Sequence, residues 1–454
     1  MRISLSPNKP LAAGLKQEQT VENNQLVTAL KDKSGQVIAS ARQTVGSQAT
    51  VDFFQGKGGN SVIVTDGALT YLMQPGSSLK GKDVQVELPG KPFEPFINAP
   101  ALPKTNTPTQ TQTDTAIILG AGIGERLDPV SGHTTGYSKP GIPLVGNKSI
   151  LTNIAEHMAK HGIQNVVTQT FYYPDSIREQ LASVKGIKPT FIHEAMNPPG
   201  TASALYKAAI QGNLPTDKPV LIVAGDAITN YDFSHLINQH IKNNAAVTIA
   251  GKRVRDDEVS GFGIIESDNS GGNGQSGNIK VFKEKPSLKD AGDARLANTG
   301  IYVFSPEAIQ FMRNVGEEIY KKADALPTKP SANVYDNAMH LFPPLMKAVA
   351  KGELKNAKTG EPMKFWVEEM PGGYWDDIAN PKTYFQNVLT LMKGYLGFKL
   401  PEQPEKFLKD GVIYWNNTQD QVKQSGVELK GNVIVSDQPE KRAKAEKPAL
   451  RLVA

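Results

Sequence analysis

From Thr115 onward, short apolar runs alternate with stretches whose apolar positions recur at helical spacing. The runs "AIILGAG", "NVVTQTF", "PTFIHEA", "VLIVAGD" and "AAVTIAG" are bounded by turn residues. Between them, "SILTNIAEHMAKHG", "DSIREQLASVKG", "GTASALYKAAIQG" and "DFSHLINQHIKNN" carry the helical period. A strand that is apolar at nearly every position is buried on both faces, and the intervening helices supply the cover. The alternation therefore predicts a three-layer α/β core on a mostly parallel sheet. In such sheets ligands bind beyond the carboxyl ends of the strands.

The pattern changes on both sides of that core. Residues 1–95 are polar, with short alternating runs such as "SVIVTDG", "LTYLMQPG" and "DVQVELPG" cut by glycines, which predicts a small β-rich or partly disordered region. Residues 96–114, "FINAPALPKTNTPTQTQTD", are rich in Pro, Thr and Gln and read as a linker. Within the core, "GFGIIESD" and "NIKVFKEKP" flank a Gly/Ser/Asn-rich stretch, the pattern of a hairpin with a long tip. "ANTGIYVF" is a further strand, and Ser305 caps the helix that follows it. The core is expected to span 115–397. Residues 398–438 show short β runs spaced by Gly and Asn, predicting a short β-helix-like segment, and 439–454 a charged tail.

A length of 454 residues exceeds one ordinary core, in line with this division. The formal net charge of +5 is too small to argue for nucleic acid. With no cysteine in the chain, disulfide scaffolds, thiol nucleophiles and cysteine zinc sites are excluded. The first residues lack an apolar stretch of about 7–15 residues, and no apolar run reaches about 18 residues, so neither a signal peptide nor a membrane span is expected. A cytoplasmic protein follows as the expectation. A homo-oligomer is left open.

The candidate chemistry begins where the first core strand ends, in "IILGAGIGERLDPVSGHTTGYSKPGIPLVG" (117–146). Glycines let backbone N–H groups approach a phosphate closely. The dinucleotide fingerprint fails here, because Glu125 stands where its last glycine belongs, and the Walker loop fails at Asn147 in "GIPLVGNKS". A tight strand-to-helix turn would explain the glycines alone. The fuller pattern, L-x-x-G-x-G-x-R-L-x-P followed by Lys139-Pro140, resembles the signature of the sugar-1-phosphate nucleotidylyltransferases. Six later stretches resemble that family's successive motifs in order: "GTASAL", "VAGDAITNYDF", "GFGII", "FKEKPS", "ANTGIYVF" and "GGYWDDIANPKTY". Of its branches, the mannose-1-phosphate guanylyltransferases are the most similar.

The resemblance implies a Rossmann-like nucleotidyltransferase core and a magnesium-dependent transfer from an NTP to a hexose-1-phosphate. It points to GTP with mannose-1-phosphate, and next to glucose-1-phosphate with UTP or dTTP. Arg126 and Lys139 become the catalytic cations on the triphosphate, where a planar guanidinium and a compact ammonium serve different geometries. Leu119, Gly120, Ala121, Gly122, Gly124, Gly200 and Thr201 would hold the nucleotide, largely through backbone groups. Glu284, Lys285, Asn298 and Thr299 would hold the sugar phosphate. Asp226 and Asp377 would hold Mg2+, which takes one or two carboxylates with phosphates and waters. Asp376 is the less favoured neighbour.

Plainer roles compete with these. Asp226 could serve an Asx turn and Asp377 a helix N-cap. A salt bridge between Glu284 and Lys285 is not expected, since adjacent strand residues point to opposite faces. His157 and His161 have i,i+4 spacing but lack the zincin glutamate, so they are assigned to a solvated helix face. The chain departs from the family pattern at Glu125, at the added residues of "SGHTTG", at Ser203 and at Ala379. These departures raise a rival reading, a regulatory subunit that binds nucleotide sugars without turnover.

Overall fold

The computed structural model describes residues 2–4, 15–56, 58–95, 111–122, 124–132, 135–146, 148–193, 200–271, 275–323, 337–370, 372–394, 401–416 and 418–437. Most of the expected linker and the charged tail lie outside the described residues. The chain forms two compact units, neither a single stretch of sequence. One comprises residues 100–122 and 150–377; the other comprises 1–99, 123–149 and 378–454.

The first unit is built on a nine-stranded sheet. Its spatial order is Lys188–His193, Asn165–Thr170, Thr115–Leu119, Val220–Ala224, Leu296–Phe304, Ala245–Arg253, Lys364–Glu369, Gly277–Glu284 and Gly263–Ser267. The first four run parallel. Ile117 packs in one core with Val167, Ile222 and Leu205, while its neighbour Ile118 is equally buried. Adjacent strand residues point to opposite faces, so both faces of the sheet are covered.

The sheet as a whole is mixed, which corrects the expectation of a mostly parallel one. Leu296–Phe304 runs antiparallel to both Val220–Ala224 and Ala245–Arg253. The physical reason lies in the connections: a helix crossover returns the chain to the same direction, but a hairpin reverses it. The hairpin Gly263–Ser267 with Gly277–Glu284 precedes the reversed strand.

The helix Ile150–Lys160 carries His157 and ends just before His161. These histidines do not lie on a solvated face. His161 is buried, both rings pack on Phe233, and the two rings stand 4.8 Å apart. His157 Nε2 lies 2.7 Å from the Tyr231 carbonyl, and His161 Nδ1 lies 2.8 Å from Ser234 Oγ. A second helix, Phe233–Lys242, covers a face that its sequence spacing had assigned to water.

The second unit is organised by an eleven-stranded sheet in which Leu69–Lys80 is central. Val84, Val86 and Leu88 are buried while Glu87 between them is exposed, the alternation of a half-buried strand. Among the described residues of 398–438, the strands join this larger sheet. Glu428–Asp437 pairs antiparallel along Leu69–Lys80 and parallel with Val412–Tyr414, so the segment completes the sheet that begins near the N-terminus. Its short runs pair with one another at Val412–Tyr414 and Val433–Val435, and Leu69–Lys80 takes the other edge of Glu428–Asp437. At the crossing, Gly431 (φ +76°) leaves no room for a side chain against the Gly76 carbonyl. No helix among the described residues is long and apolar enough to cross a membrane.

Candidate functional site

In the first unit, the strand Thr115–Leu119 delivers its last residues to the carboxyl edge of the sheet. Gly225 N–H donates to the Leu119 carbonyl at 2.9 Å and ties the end of Val220–Ala224 to it. A Cβ on Gly120 would stand 3.0 Å from the Gln169 carbonyl, so the backbone is closely packed there. Ala121 is buried. Gly122 is exposed, and a Cβ on it would meet nothing within 4 Å, which leaves open backbone that a ligand can approach.

Across the same edge, Gly200 precedes the helix Thr201–Ile210. Ser203, one of the departures from the family pattern, has a local function: its hydroxyl donates to the Gly200 carbonyl at 2.6 Å and accepts from Gln169 Nε2 at 3.0 Å. Thr201 Oγ1 accepts from Asn337 N–H at 3.0 Å.

The two candidate metal acids are brought together by a small ladder. After the Gly225–Asp226 turn, Ala227–Thr229 pairs antiparallel with Trp375–Asp377, with Ala227 opposite Asp377. Asp226 and Asp377 therefore occupy the same end of it, both half-buried. Asp376 stands one step inward, opposite Ile228. Asp377 is not the cap of the following helix. That cap is Asn380, in a reciprocal capping box with Thr383.

Lys252, which the sequence reading did not single out, braces this ladder. Its ammonium donates to the Trp375 carbonyl at 3.1 Å and sits 5.4 Å from the centre of the Trp375 ring. The signal available was the basic pair "KR" closing the strand Ala245–Arg253. Trp375 is buried, and its Nε1–H has no hydrogen-bond partner among the described residues. Burial, and secondarily the Asp376 carboxylate, push the Tyr374 hydroxyl upward.

On the sugar side, Glu284 ends the strand Gly277–Glu284 opposite Gly263. A Cβ on Gly263 would come 3.0 Å from Glu284 Oε2 and 2.7 Å from the Phe282 ring. Lys285 follows in the left-handed region, with φ +45°, an uncommon conformation for a residue with a side chain. That turn breaks the strand alternation. Lys285 Nζ consequently lies 3.9 Å from Glu284 Oε1, the contact that strict alternation would forbid. Both groups are exposed, so the pair contributes little to stability.

Asn298 is half-buried, donating from Nδ2 to Tyr302 Oη at 3.1 Å and accepting from Gly300 N–H at 3.1 Å. Thr299 is different. It is buried, and its hydroxyl donates to the Ala250 carbonyl at 2.7 Å. Its side chain serves the sheet; the period of two turns it inward when Asn298 turns outward. Gly300 lies against the strand that leads to Asp226, since a Cβ on it would be 2.9 Å from Ala224 Cβ.

The second unit holds Arg126 and Lys139. Gly124, with φ +71°, opens a 3-10 turn at Glu125–Leu127, closed by Leu127 N–H to the Gly124 carbonyl at 2.8 Å. Lys139 opens another at Lys139–Gly141. A Cβ on Gly124 would stand 3.0 Å from Lys139 Cβ, so the chain returns to the start of the turn that carries Arg126. The added residues do not spread this loop. Gly132 N–H donates to the Tyr137 carbonyl at 2.9 Å and pinches the insertion at its base; His133 and Thr134 lie outside the described residues. Arg126 and Glu125 are exposed and Lys139 is half-buried.

A family model described as Nucleotidyl transferase matches residues 115–394. The chain is 25% identical over 338 residues to a glucose-1-phosphate adenylyltransferase of Corynebacterium efficiens, covering 65% of this chain and 74% of that protein. It is 28% identical over 244 residues to a UTP–glucose-1-phosphate uridylyltransferase of Synechocystis, covering 51% and 55%. Among solved structures, a UTP-bound UGPase from Acinetobacter baumannii is 17% identical with a TM-score of 0.46, covering 62% of this chain and 93% of that one.

Proposed function

The chain belongs to the nucleotidyl transferase family, and from that premise we propose that it transfers an NMP group from an NTP to a hexose-1-phosphate and releases pyrophosphate. A phosphate oxygen of the sugar-1-phosphate attacks the α-phosphorus. The new P–O bond forms as the bond to the β-phosphate oxygen breaks, and pyrophosphate leaves with its electron pair. A phosphomonoester is largely ionised at neutral pH, since its second pKa lies near 6. No side chain is needed as a base. The obstacle is charge, because two polyanions must meet while more negative charge gathers on the leaving group.

The observation that carries this reading is the ladder that sets Ala227 opposite Asp377 and gathers Asp226 and Asp377 at one end. No group of three or more His, Asp or Glu side chains suited to a metal occurs among the described residues. Two carboxylates suit Mg2+, which keeps waters and substrate phosphates as its other ligands. Asp226 and Asp377 would hold it, and when bound it would neutralise charge on the phosphates. Arg126 and Lys139 orient the triphosphate and offset its charge. Lys285 pairs with the sugar phosphate, while Glu284 and Asn298 accept from and donate to sugar hydroxyls. Removing one such charge-stabilising group costs about 3–4 kcal/mol of transition-state stabilisation in comparable sites.

Glucose-1-phosphate is the favoured sugar, because the relatives reported above act on it by name. Mannose-1-phosphate with GTP is the second reading, favoured by "EKPS", "NTGIYV" and "GYWDDIAN". Pyrophosphate release from four NTPs against glucose-1-phosphate, mannose-1-phosphate and galactose-1-phosphate, with and without Mg2+, tests the proposal. Release with one pair above the others supports it. Tight binding of an NDP-sugar with no release from any pair would overturn it in favour of the regulatory subunit.

A further inference from the structure

The hairpin Thr50–Gly56 with Gly59–Asp66 belongs to the N-terminal sheet, where the sequence offers no catalytic spacing. Its ladder closes with Gly56 opposite Gly59, which leaves Gly58 at the tip. Two glycines there have different reasons to be glycine. Gly59 has φ +114°, a conformation that disfavours side chains. Gly58 lies outside that region, so the hairpin backbone itself would accept alanine. What forbids a side chain at Gly58 is its surroundings: a Cβ would collide with the Arg126 carbonyl oxygen and stand 2.8 Å from Pro381 Cδ.

The same loop is held at a second place by residues near the C-terminal end of the unit. Trp415 is buried, its Nε1–H donates to Tyr384 Oη at 2.9 Å, and that hydroxyl donates to the Pro143 carbonyl at 2.7 Å. The Tyr137 ring meets Trp415 edge-on at 5.6 Å. Backbone carbonyls and a buried ring thus fix residues 126, 137 and 143, which bracket Lys139 along the chain. A rigid sheet pressed against a short 3-10 turn limits how far the turn can shift, and pre-set cations lose less on binding an anion than mobile ones.

We infer that the N-terminal β region is a positioning element for the nucleotide loop, and that Gly58 is the residue through which it sets Arg126. The inference rests on the reading of Arg126 as a ligand of the NTP triphosphate. Gly58 is a positioning residue, since it acts through the Arg126 backbone. The sheet would then be part of how the enzyme binds its nucleotide, with no ligand of its own.

The test uses the full chain with Gly58→Ala, and Gly46→Ala as a control. Gly46 sits in a turn of the same sheet with φ +88°, and a Cβ on it meets nothing within 4 Å. It loads the sheet with strain without touching the loop. Two readouts are taken: deuterium uptake of a peptide covering 124–132, and KM for NTP against KM for the sugar phosphate in pyrophosphate release. In the resting chain the amides of Leu127 and Val130 are held by bonds to Gly124 and Leu127. Gly58→Ala is expected to speed their exchange and raise KM for NTP about tenfold to a hundredfold, with KM for the sugar phosphate unchanged. Gly46→Ala is expected to do neither. Unchanged exchange in Gly58→Ala would overturn the inference, as would equal effects in the two variants. Faster exchange confined to Gly58→Ala, in a chain whose wild type releases no pyrophosphate, upholds the positioning role and counts against the proposed reaction alone.

Discussion

The aliphatic stem of Lys139 occupies the ground over Gly124, with its Cβ 3.0 Å from where a Cβ on the glycine would stand. The 14 residues between them are closed at Gly132 and Tyr137, so the lysine is set by packing on the turn and not by loop length. Gly124→Ala imposes a left-handed alanine at about 1–2 kcal/mol and displaces that stem. The expected outcome is a loss of about tenfold or more in kcat/KM for pyrophosphate release. Far-ultraviolet circular dichroism should be unaltered. Full activity in the variant would show that Lys139 has no fixed place in the reaction.

The register of the short ladder separates the three acids. Asp226→Asn and Asp377→Asn should each lower kcat by about a hundredfold or more and raise the Mg2+ concentration needed for half activity. Their effects should not add, because two ligands of one ion act as a unit. Asp376→Asn, one step inward, should cost less than about tenfold. Magnesium titrations of the three variants and of the Asp226/Asp377 double variant check this.

Asn298 and Thr299 are neighbours with opposite duties. Thr299→Val removes a buried donor and leaves the Ala250 carbonyl unmet, a loss of about 1–3 kcal/mol in stability. KM for the sugar phosphate should change little. Asn298→Ala should raise that KM by about tenfold while the melting temperature moves less than for Thr299→Val. The comparison of melting curves with KM values decides it.

Acid should destabilise the protein through its buried histidines. Burial is the main cause that lowers His157 to about 4 and His240 to about 3, and it also lowers His161. A base whose folded pKa is depressed binds more protons when unfolded. Its contribution to stability is therefore complete above its ordinary value near 6.5 and is lost as pH falls toward 4 and below. His235 acts in the opposite sense. Glu368, 3.1 Å away, raises it, so its smaller contribution is present below 6.5 and fades as pH rises through the raised value. The melting temperature should fall steeply between pH 6.5 and 4, and less steeply in His240→Gln. A flat profile across that interval would contradict the burial of the three rings.

Much of the core could be read along the chain because its signals are local. The strands Thr115–Leu119 and Val220–Ala224 lie inside the apolar runs "AIILGAG" and "VLIVAGD", and their carboxyl ends carry Gly120 and Asp226. What escaped was set by distant partners. His157 and His161 read as wet until Phe233, over seventy residues away, covers them. Lys285 leaves the strand alternation through a backbone torsion that "KEKP" does not announce. Thr299 and Asn298 look alike in sequence, and only the Ala250 carbonyl tells them apart. Lys252 acquires its role from Trp375, 123 positions later. Pairing between residues 428–437 and 69–80 has no local trace at all.

That last pairing has a consequence for biosynthesis. A ribosome releases residues 69–80 early and residues 428–437 only after the whole of the other unit has emerged. Until then one long edge of Leu69–Lys80 waits with its backbone groups unclaimed, open to a neighbouring nascent chain. The four parallel strands can be laid down during translation, whereas the sheet that braces the turn at Arg126 cannot be finished before the last strand arrives.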